Sequence, residues 1–176
     1  MLYTKKGDDG KTNIFGCDQR LSKSSAIAEA LGNLDETNSF LGVIKSKNDV
    51  SGDVKNELEN VQNNLFIIQA QVAGADKKIQ KEEIEKIEEK INKIEKELPP
   101  INSFLISGTN EISANFDFVR TLARRAERRV VAVSEEGIQK IDQNTLIYLN
   151  RLSSLLYAFA RFFATESGKN EKSPTY

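Results

Sequence analysis

The 176-residue sequence contains no histidine and no tryptophan, a single cysteine and three prolines. The absence of histidine excludes Ser-His-Asp and Cys-His catalysis, histidine zinc sites and the Glu-x-x-His motif of di-iron bundles. If the protein is an enzyme, its chemistry must need little proton transfer near neutral pH, or must use carboxylates, lysine or tyrosine. The lone Cys17 cannot form an intrachain disulfide, which agrees with a reducing compartment.

Long apolar runs and an excess of positive charge are also missing. No stretch approaches the roughly 20 apolar residues that span a bilayer, and no basic segment followed by an apolar run opens the chain. We therefore expect a cytoplasmic protein without a membrane role. The formal net charge is −1, so bulk attraction to nucleic acid is not expected either. The length fits one domain with a substantial core.

Five segments have the apolar periodicity of helices. Together they predict an all-α five-helix bundle, with helices at about residues 24–45, 54–73, up to 97, 111–135 and 143–166. No strand pattern or βαβ alternation appears, so a Rossmann or P-loop domain is not expected. The prediction divides the single domain 1–176 into an N-terminal loop (1–23), the bundle (24–167) and a flexible tail (168–176).

The fourth helix has two faces, and only one of them is apolar. Its core stripe consists of Val119, Leu122, Ala123, Ala126, Val130 and Val133. Arg120, Arg124, Glu127 and Arg128 cluster on a different face. Guanidinium groups suit phosphate oxygens and carboxylates, which makes this face a candidate binding site. The alternative is a solvated helix face with local ion pairs.

The N-terminal segment TKKGDDGKT, residues 4–12, combines two glycines with three lysines. Such a loop can direct backbone N–H groups, lysines and threonines at an anion. It is not a P-loop, because only two residues separate its glycines and no strand precedes it. The alternative is an ordinary surface turn.

Two further features need an explanation. The fifth helix is apolar almost all round and is expected to be central, yet Asn150, Ser154 and Arg161 lie within about 40° of one another and Arg151 lies nearby. These polar groups must be satisfied by partners, a subunit interface or a ligand. The apolar loop 101–110 carries Phe104, which would either plug the bundle end or line a pocket for an apolar ligand.

Five segments occur in the order TKKGDDGKT, LGNLDETNSFLG, SFLISG, RTLARRAERRVV and YLNRLSSLLYAFAR. In this combination, from Tyr3 to Ala164, the chain resembles the PduO-type ATP:cob(I)alamin adenosyltransferases. The resemblance implies a homotrimer of ferritin-like five-helix bundles, with ATP and corrinoid between neighbouring subunits. It also implies transfer of the 5′-deoxyadenosyl group of ATP to the cobalt of cob(I)alamin, with Mg²⁺ accompanying ATP. A corrinoid reductase and an adenosylcobalamin-dependent mutase would be partners.

The resemblance also implies roles for individual residues. The loop residues expected to wrap the triphosphate are Thr4, Lys5, Gly7, Asp8, Gly10, Lys11, Thr12 and Lys23. Arg124 would contact the phosphates and Glu127 would place the nucleotide. The pocket would be completed by Arg128, Asn150 and Arg151.

Three other residues are implied in the subunit interface and the corrinoid site. Arg120 would pair with Asp35 across the interface, and Phe104 would press on the lower face of the corrin and keep the lower ligand off cobalt.

The chain departs from the family pattern at a few positions. Family members commonly carry an arginine near the position of Ile27, Pro-Gly-Gly at residues 107–109, and an acidic residue at the position of Ser154. Details of corrinoid binding are therefore expected to differ. The competing hypothesis is a non-catalytic bundle that binds a nucleotide or another protein through its arginine face. A carboxylate metal bundle is disfavoured by the missing histidines.

Overall fold

The computed structural model describes residue 3 and residues 5–14 and 20–175. Over these residues the chain forms two short strands and five helices. The strands are β1 (Lys11–Asn13) and β2 (Arg20–Ser22), and the helices are α1 (Ala26–Lys45), α2 (Gly52–Val72), α3 (Lys81–Glu97), α4 (Glu111–Glu135) and α5 (Gln143–Glu166). The predicted five-helix bundle is confirmed. None of these helices is both long enough and apolar enough to cross a lipid bilayer.

Side-chain caps set the start of four helices. The hydroxyl of Ser25 accepts from the backbone N–H of Ala28 at the start of α1. Ser51 does the same for α2, which explains why that helix begins two residues earlier than predicted. A reciprocal capping box joins Asn110 and Ser113 at α4, and Asp142 caps α5. Capping satisfies N–H groups that have no partner in the first helical turn.

The bundle packs around α5, with α4 antiparallel to it and α3 parallel to it. Helix α1 runs antiparallel to α4, since Glu29 pairs with Arg129, Glu36 with Arg125 and Lys47 with Glu111. Helix α5 packs on α4 and α3, while α2 packs on α1. Twelve of the 24 residues of α5 are buried, against nine of 25 in α4 and three of 17 in α3. This difference places α5 at the centre, as its apolar sequence predicts.

The N-terminal hairpin was not expected. Strands β1 and β2 pair antiparallel, with Thr12 opposite Leu21, so the prediction of a chain without strands is wrong in this segment. Three residues are too short to show a period-two pattern, and their pairing depends on contacts between the two strands. Cys17 lies outside the described residues.

Candidate active site

Arg124 is the least constrained arginine of the predicted cluster on α4. It is exposed, and within the described residues its guanidinium has no hydrogen-bond or ion-pair partner. Its backbone carbonyl accepts a 3.1 Å bond from Nη1 of Arg128. Arg124 thus presents a fixed positive charge and five unused N–H donors at the surface.

Beside Arg124, three predicted pocket residues are joined in a chain of hydrogen bonds. Nδ2 of Asn150 donates to Oε1 of Glu127 at 3.0 Å. Nη1 of Arg151 donates to Oδ1 of Asn150 at 3.0 Å, and Nε of Arg151 donates to Glu88 of α3 at 2.7 Å. These bonds connect α4, α5 and α3, so the structure brings Glu127, Asn150 and Arg151 together. The contact to Glu88 had no signal in the sequence.

Two other arginines of α4 match the alternative of a solvated, ion-paired face. Arg125 pairs with Glu36, and Arg129 lies 3.8 Å from the carboxylate of Glu29. All four side chains are about half exposed, where ion pairs contribute little to stability. That interpretation therefore applies to this part of the helix, and it does not account for Arg124.

Arg120 has partners within its own chain. Its Nε lies 3.3 Å from Oδ1 of Asp117, and its guanidinium carbon lies 5.7 Å from the ring centroid of Tyr157, a cation–π geometry. Partial burial raises the pKa of the Tyr157 hydroxyl. Asp35 of α1 is exposed and its carboxylate has no partner in the described part of the chain. Within one chain the structure does not bring Arg120 and Asp35 into contact.

The N-terminal loop closes on Lys23. Nζ of Lys23 donates to the carbonyl of Gly7 at 2.8 Å, and its backbone N–H donates to the carbonyl of Gly10 at 3.0 Å. A Cβ on Gly7 would lie 3.0 Å from Nζ of Lys23. Lys5 and Gly10 have the positive φ angles of 59° and 78° that tight turns require. Lys23 thus closes the loop through its hydrogen bonds to the carbonyls of Gly7 and Gly10.

The loop is also held by Arg20, a residue for which no role was predicted from the sequence. Both terminal nitrogens of Arg20 donate to the carboxylate of Asp9 at 2.8 Å, and Arg20 also donates to the carbonyl of Lys6. The bond from Arg20, together with the 3.1 Å bond from the N–H of Lys11, lowers the pKa of Asp9. A lone arginine in a stretch without periodicity carries no sequence signal for such a pairing.

The remaining predicted loop residues are at the surface or lie outside the described residues. Asp8 and Lys11 are exposed, and Thr12 is partly buried with its hydroxyl 3.4 Å from the carbonyl of Asn13. Thr4 lies outside the described residues. Together these residues leave an open, glycine-containing turn with lysines around it.

Phe104 stands free of the bundle. It is 82% exposed, and its loop neighbours Ile101 and Ile106 are each about half exposed. The interpretation of Phe104 as a plug for the bundle end is therefore wrong, because its ring does not pack on the core. Several large apolar side chains exposed on one loop are typical of a binding surface.

The polar stripe predicted on α5 divides into different environments. Asn150 joins Glu127 as described, and Ser154 is exposed. Arg161 is buried and pairs with Glu171 of the C-terminal segment. Ile27 is buried in the core, where an arginine would need a partner. The stripe thus consists of an exposed hydroxyl at Ser154, an exposed amide at Asn150 and a buried ion pair at Arg161.

No group of three or more His, Cys, Asp or Glu side chains that could hold a metal ion exists among residues 3, 5–14 and 20–175. A divalent cation can also be held largely by oxygen atoms of a bound substrate. Mg²⁺ is commonly bound in this way, through substrate phosphates, water and one or two carboxylates.

Comparison with known proteins gives the same family along nearly the whole chain. Residues 2–163 match the family described as cobalamin adenosyltransferase. The chain belongs to the cobalamin adenosyltransferase family. This membership confirms the resemblance inferred from the sequence.

Two relatives illustrate the extent of the similarity. The corrinoid adenosyltransferase of Bacillus subtilis (strain 168) is 35% identical over 176 residues, which covers 95% of this chain and 88% of that protein. The corrinoid adenosyltransferase PduO of Citrobacter freundii is 39% identical over 169 residues, 91% of this chain. The chain spans about half the length of that PduO protein (49%).

Solved structures share the fold. A variant of the PduO-type ATP:corrinoid adenosyltransferase from Lactobacillus reuteri, with alanine in place of a phenylalanine, superposes with a TM-score of 0.91 over the full length of both chains at 32% identity. That structure is described as complexed with cobalamin and ATP. A second variant from the same organism, with lysine in place of an arginine and complexed with ATP, has a TM-score of 0.90.

Proposed function

We propose that this chain is an ATP:corrinoid adenosyltransferase that converts cob(I)alamin and ATP to adenosylcobalamin and triphosphate. The observation that carries the proposal is the exposed, unpaired Arg124 next to the Glu127–Asn150 pair, on a fold shared with a protein whose structure is complexed with cobalamin and ATP. On this helix Arg120, Arg125 and Arg129 are ion-paired, whereas the unpaired guanidinium of Arg124 is available for phosphate.

The reaction suits a site without histidine. The cobalt(I) electron pair attacks C5′ of ATP, the Co–C bond forms, and the C5′–O bond breaks with its electrons leaving on triphosphate. No proton moves in this step, so no general base is needed. The protein has to align the reactants, exclude water and neutralise charge on the leaving group.

The phosphate-binding groups come from two places. Arg124, with Arg128 beside it, is proposed to contact the phosphates, and the loop closed by Lys23 is proposed to wrap them with backbone N–H groups and lysines. Glu127, held by Asn150 at 3.0 Å, would position the nucleoside. Mg²⁺ would be held chiefly by the phosphate oxygens, where it would neutralise charge on the leaving group.

The active site is proposed to lie between subunits of a homotrimer. Asp35 is exposed and lacks a partner within the described chain, and Arg120 retains exposed surface, with its side chain 28% exposed. A neighbouring copy would bring these charges together. Phe118, 51% exposed and packed edge-on against Phe40 at 5.0 Å, adds apolar surface that an interface would bury.

Phe104 is proposed to act on the corrinoid. Its exposed ring would lie against the lower face of the corrin and exclude the competing axial ligand sterically. Loss of that ligand makes cob(II)alamin easier to reduce to the nucleophilic cobalt(I) state. The reaction also requires a reductant, so we propose a separate corrinoid reductase as a partner in the cytoplasm, and an adenosylcobalamin-dependent mutase as a recipient.

A spectroscopic assay tests the proposal. Purified protein with ATP, Mg²⁺ and cob(II)alamin under a chemical reductant should produce the corrin spectrum of adenosylcobalamin, with stoichiometric triphosphate release. Omission of ATP is the control. ATP binding without a change to the adenosylcobalamin spectrum would contradict the enzyme and support the non-catalytic nucleotide-binding bundle.

The subunit interface has its own test. Asp35→Asn should weaken trimer formation or ATP affinity, because Arg120 of the neighbouring copy would lose its carboxylate. Glu59→Gln is the matched control, since it removes an exposed carboxylate whose ion-pair partner is Lys45 of the same chain. Sedimentation velocity and ATP titration measure both properties. An unchanged oligomer with unchanged ATP binding in Asp35→Asn would refute this role.

A further inference from the structure

The C-terminal segment, residues 169–175, lies against the loop that carries Phe104. The backbone N–H of Ile106 donates to the carbonyl of Lys172 at 2.8 Å. The hydroxyls of Ser103 and Ser173 are 2.7 Å apart. These contacts bracket Phe104 on both sides, although the tail was expected from sequence to be mobile.

One buried arginine joins this segment to the start of the loop. Nη2 of Arg161 donates to Oε2 of Glu171 at 3.2 Å and to the carbonyl of Pro99 at 3.0 Å. The side chains of Arg161 and Glu171 are only 7% and 16% exposed. Burial of a guanidinium costs free energy unless its N–H donors have partners. Arg161 therefore needs both Glu171 and the Pro99 carbonyl, and it ties the C-terminal segment to the start of the loop. We refer to Arg161, Glu171 and the Pro99 carbonyl as the C-terminal latch.

The C-terminal latch adjoins the proposed corrinoid side of the site. A narrow cavity of about 40 Å³ separates it from the loop and is lined in part by Leu105, Ser107, Asp117, Arg120 and Tyr157. Arg120 is the residue proposed to meet the neighbouring subunit, and Leu105 follows Phe104 directly. Arg161 and Glu171 line the same cavity, so a shift of the C-terminal segment would change the surroundings of both groups.

The loop that carries Phe104 needs contacts from the C-terminal segment because the Phe104 ring does not pack on the bundle. At 82% exposure the Phe104 ring has almost no packing to fix its position, and Gly108 of the same loop, with a φ of +102°, restrains the backbone little. The loop backbone must be held from outside. The hydrogen bonds that join Ile106 to Lys172 and Ser103 to Ser173, together with the C-terminal latch at Pro99, hold it in this way.

We propose that Glu171 and Arg161 are positioning residues, which hold the Phe104 loop in the orientation that receives the corrinoid. This inference rests on the proposed adenosyltransferase function for its consequence, but the contact itself does not depend on that function. The C-terminal segment is then part of the corrinoid site, although it lies beyond residues 2–163, which the family model matches.

Hydrogen exchange tests the contact without any substrate. Glu171→Gln removes the charge that holds Arg161, and amides of residues 101–107 should then exchange about tenfold faster, since one charge-assisted hydrogen bond contributes about that factor or more. Glu166→Gln, an exposed carboxylate without a partner in the described chain, is the matched control and should leave exchange unchanged. Equal exchange in the two variants would overturn the latch.

Corrinoid binding tests the positioning role. In Glu171→Gln the KM for the corrinoid should rise about tenfold, and the fraction of bound cob(II)alamin whose spectrum lacks the lower ligand should fall, while the KM for ATP stays the same. Glu171→Asp, which keeps the carboxylate, should recover part of the loss. A uniform fall in kcat with both KM values unchanged would indicate a general structural effect and refute positioning.

The two proposals fail in different ways. Suppose that the wild-type protein forms adenosylcobalamin and that Glu171→Gln has the same hydrogen exchange, the same KM for the corrinoid and the same cob(II)alamin spectrum. The latch is then refuted, and the proposed enzymatic function is retained. If the wild-type protein forms no adenosylcobalamin, the proposed function and the positioning role are refuted, and hydrogen exchange alone decides whether the tail holds the loop.

Discussion

Two arginines on the facing helices α4 and α5 differ in burial and in the partners of their guanidinium groups. Arg161 is buried, with its fork engaged by Glu171 and the Pro99 carbonyl. Arg124 is exposed and has no side-chain partner among the described residues. The first arrangement holds segments of the chain together, whereas the second leaves all donors available for a ligand.

The physical reason for the difference is desolvation. A guanidinium removed from water must recover its lost hydration from fixed partners, so it becomes a structural tie. A guanidinium at the surface keeps its hydration until an anion replaces it, and that exchange is favourable for phosphate. The comparison teaches that Arg124 should matter for activity and Arg161 for folding and loop position.

The largest effect is expected at Arg124. Arg124→Ala should reduce adenosyl transfer by about 2–4 kcal/mol in kcat/KM, because a contact to the developing triphosphate charge is lost. Its unfolding free energy should change by no more than about 0.5 kcal/mol, as for other exposed positions. Steady-state kinetics and urea unfolding measure the two quantities.

Arg125→Ala is the control for Arg124→Ala. It removes a neighbouring arginine whose side chain already pairs with Glu36 at the surface, so activity should be nearly unchanged. Normal turnover in Arg124→Ala, or equal losses in both variants, would break the distinction between the paired and unpaired arginines of α4.

A smaller effect, on the free energy of unfolding and not on catalysis, is expected at Arg161. Arg161→Met keeps the apolar stem but leaves the Glu171 carboxylate and the Pro99 carbonyl without their donor, which should lower the unfolding free energy by about 1–3 kcal/mol. Urea unfolding of Arg161→Met and of the wild-type protein measures this difference in unfolding free energy. A variant as stable as the wild type would show that burial of this arginine contributes nothing to the fold.

The smallest effect concerns the exposed clamp between Arg20 and Asp9 in the N-terminal loop. The pKa of Asp9 is lowered in the folded chain, so its contribution is present above the ordinary aspartate pKa and is lost as the pH falls through the folded value. Loop amides should keep their protection from pH 7 to 5 and lose it below about pH 4.

Arg20→Gln should weaken that pH dependence, since the group that lowers the Asp9 pKa most is gone. Hydrogen exchange of residues 5–14, with circular dichroism to show that the helices persist, checks the prediction. Loss of loop protection at the same pH in both proteins would mean that the clamp does not control the loop.

Much of the bundle could be predicted because its determinants are local. The helix α4 was expected at 111–135 and α5 at 143–166, and both have these bounds, since apolar period, caps and terminal glycines act over one or two turns. The cluster of Arg124 and Glu127 followed from the same helical spacing. The hairpin did not, because three-residue strands have no measurable period.

The sequence by itself determined which residues share a helix face, and therefore the five helices, the central place of α5 and the grouping of arginines on α4. Only the tertiary structure decided which of those charges find partners. Arg161 and Pro99 are 62 residues apart, and Arg151 meets Glu88 at a separation of 63. Such pairs depend on how helices pack, and periodicity along one helix carries no information about the side chains that another helix brings to it.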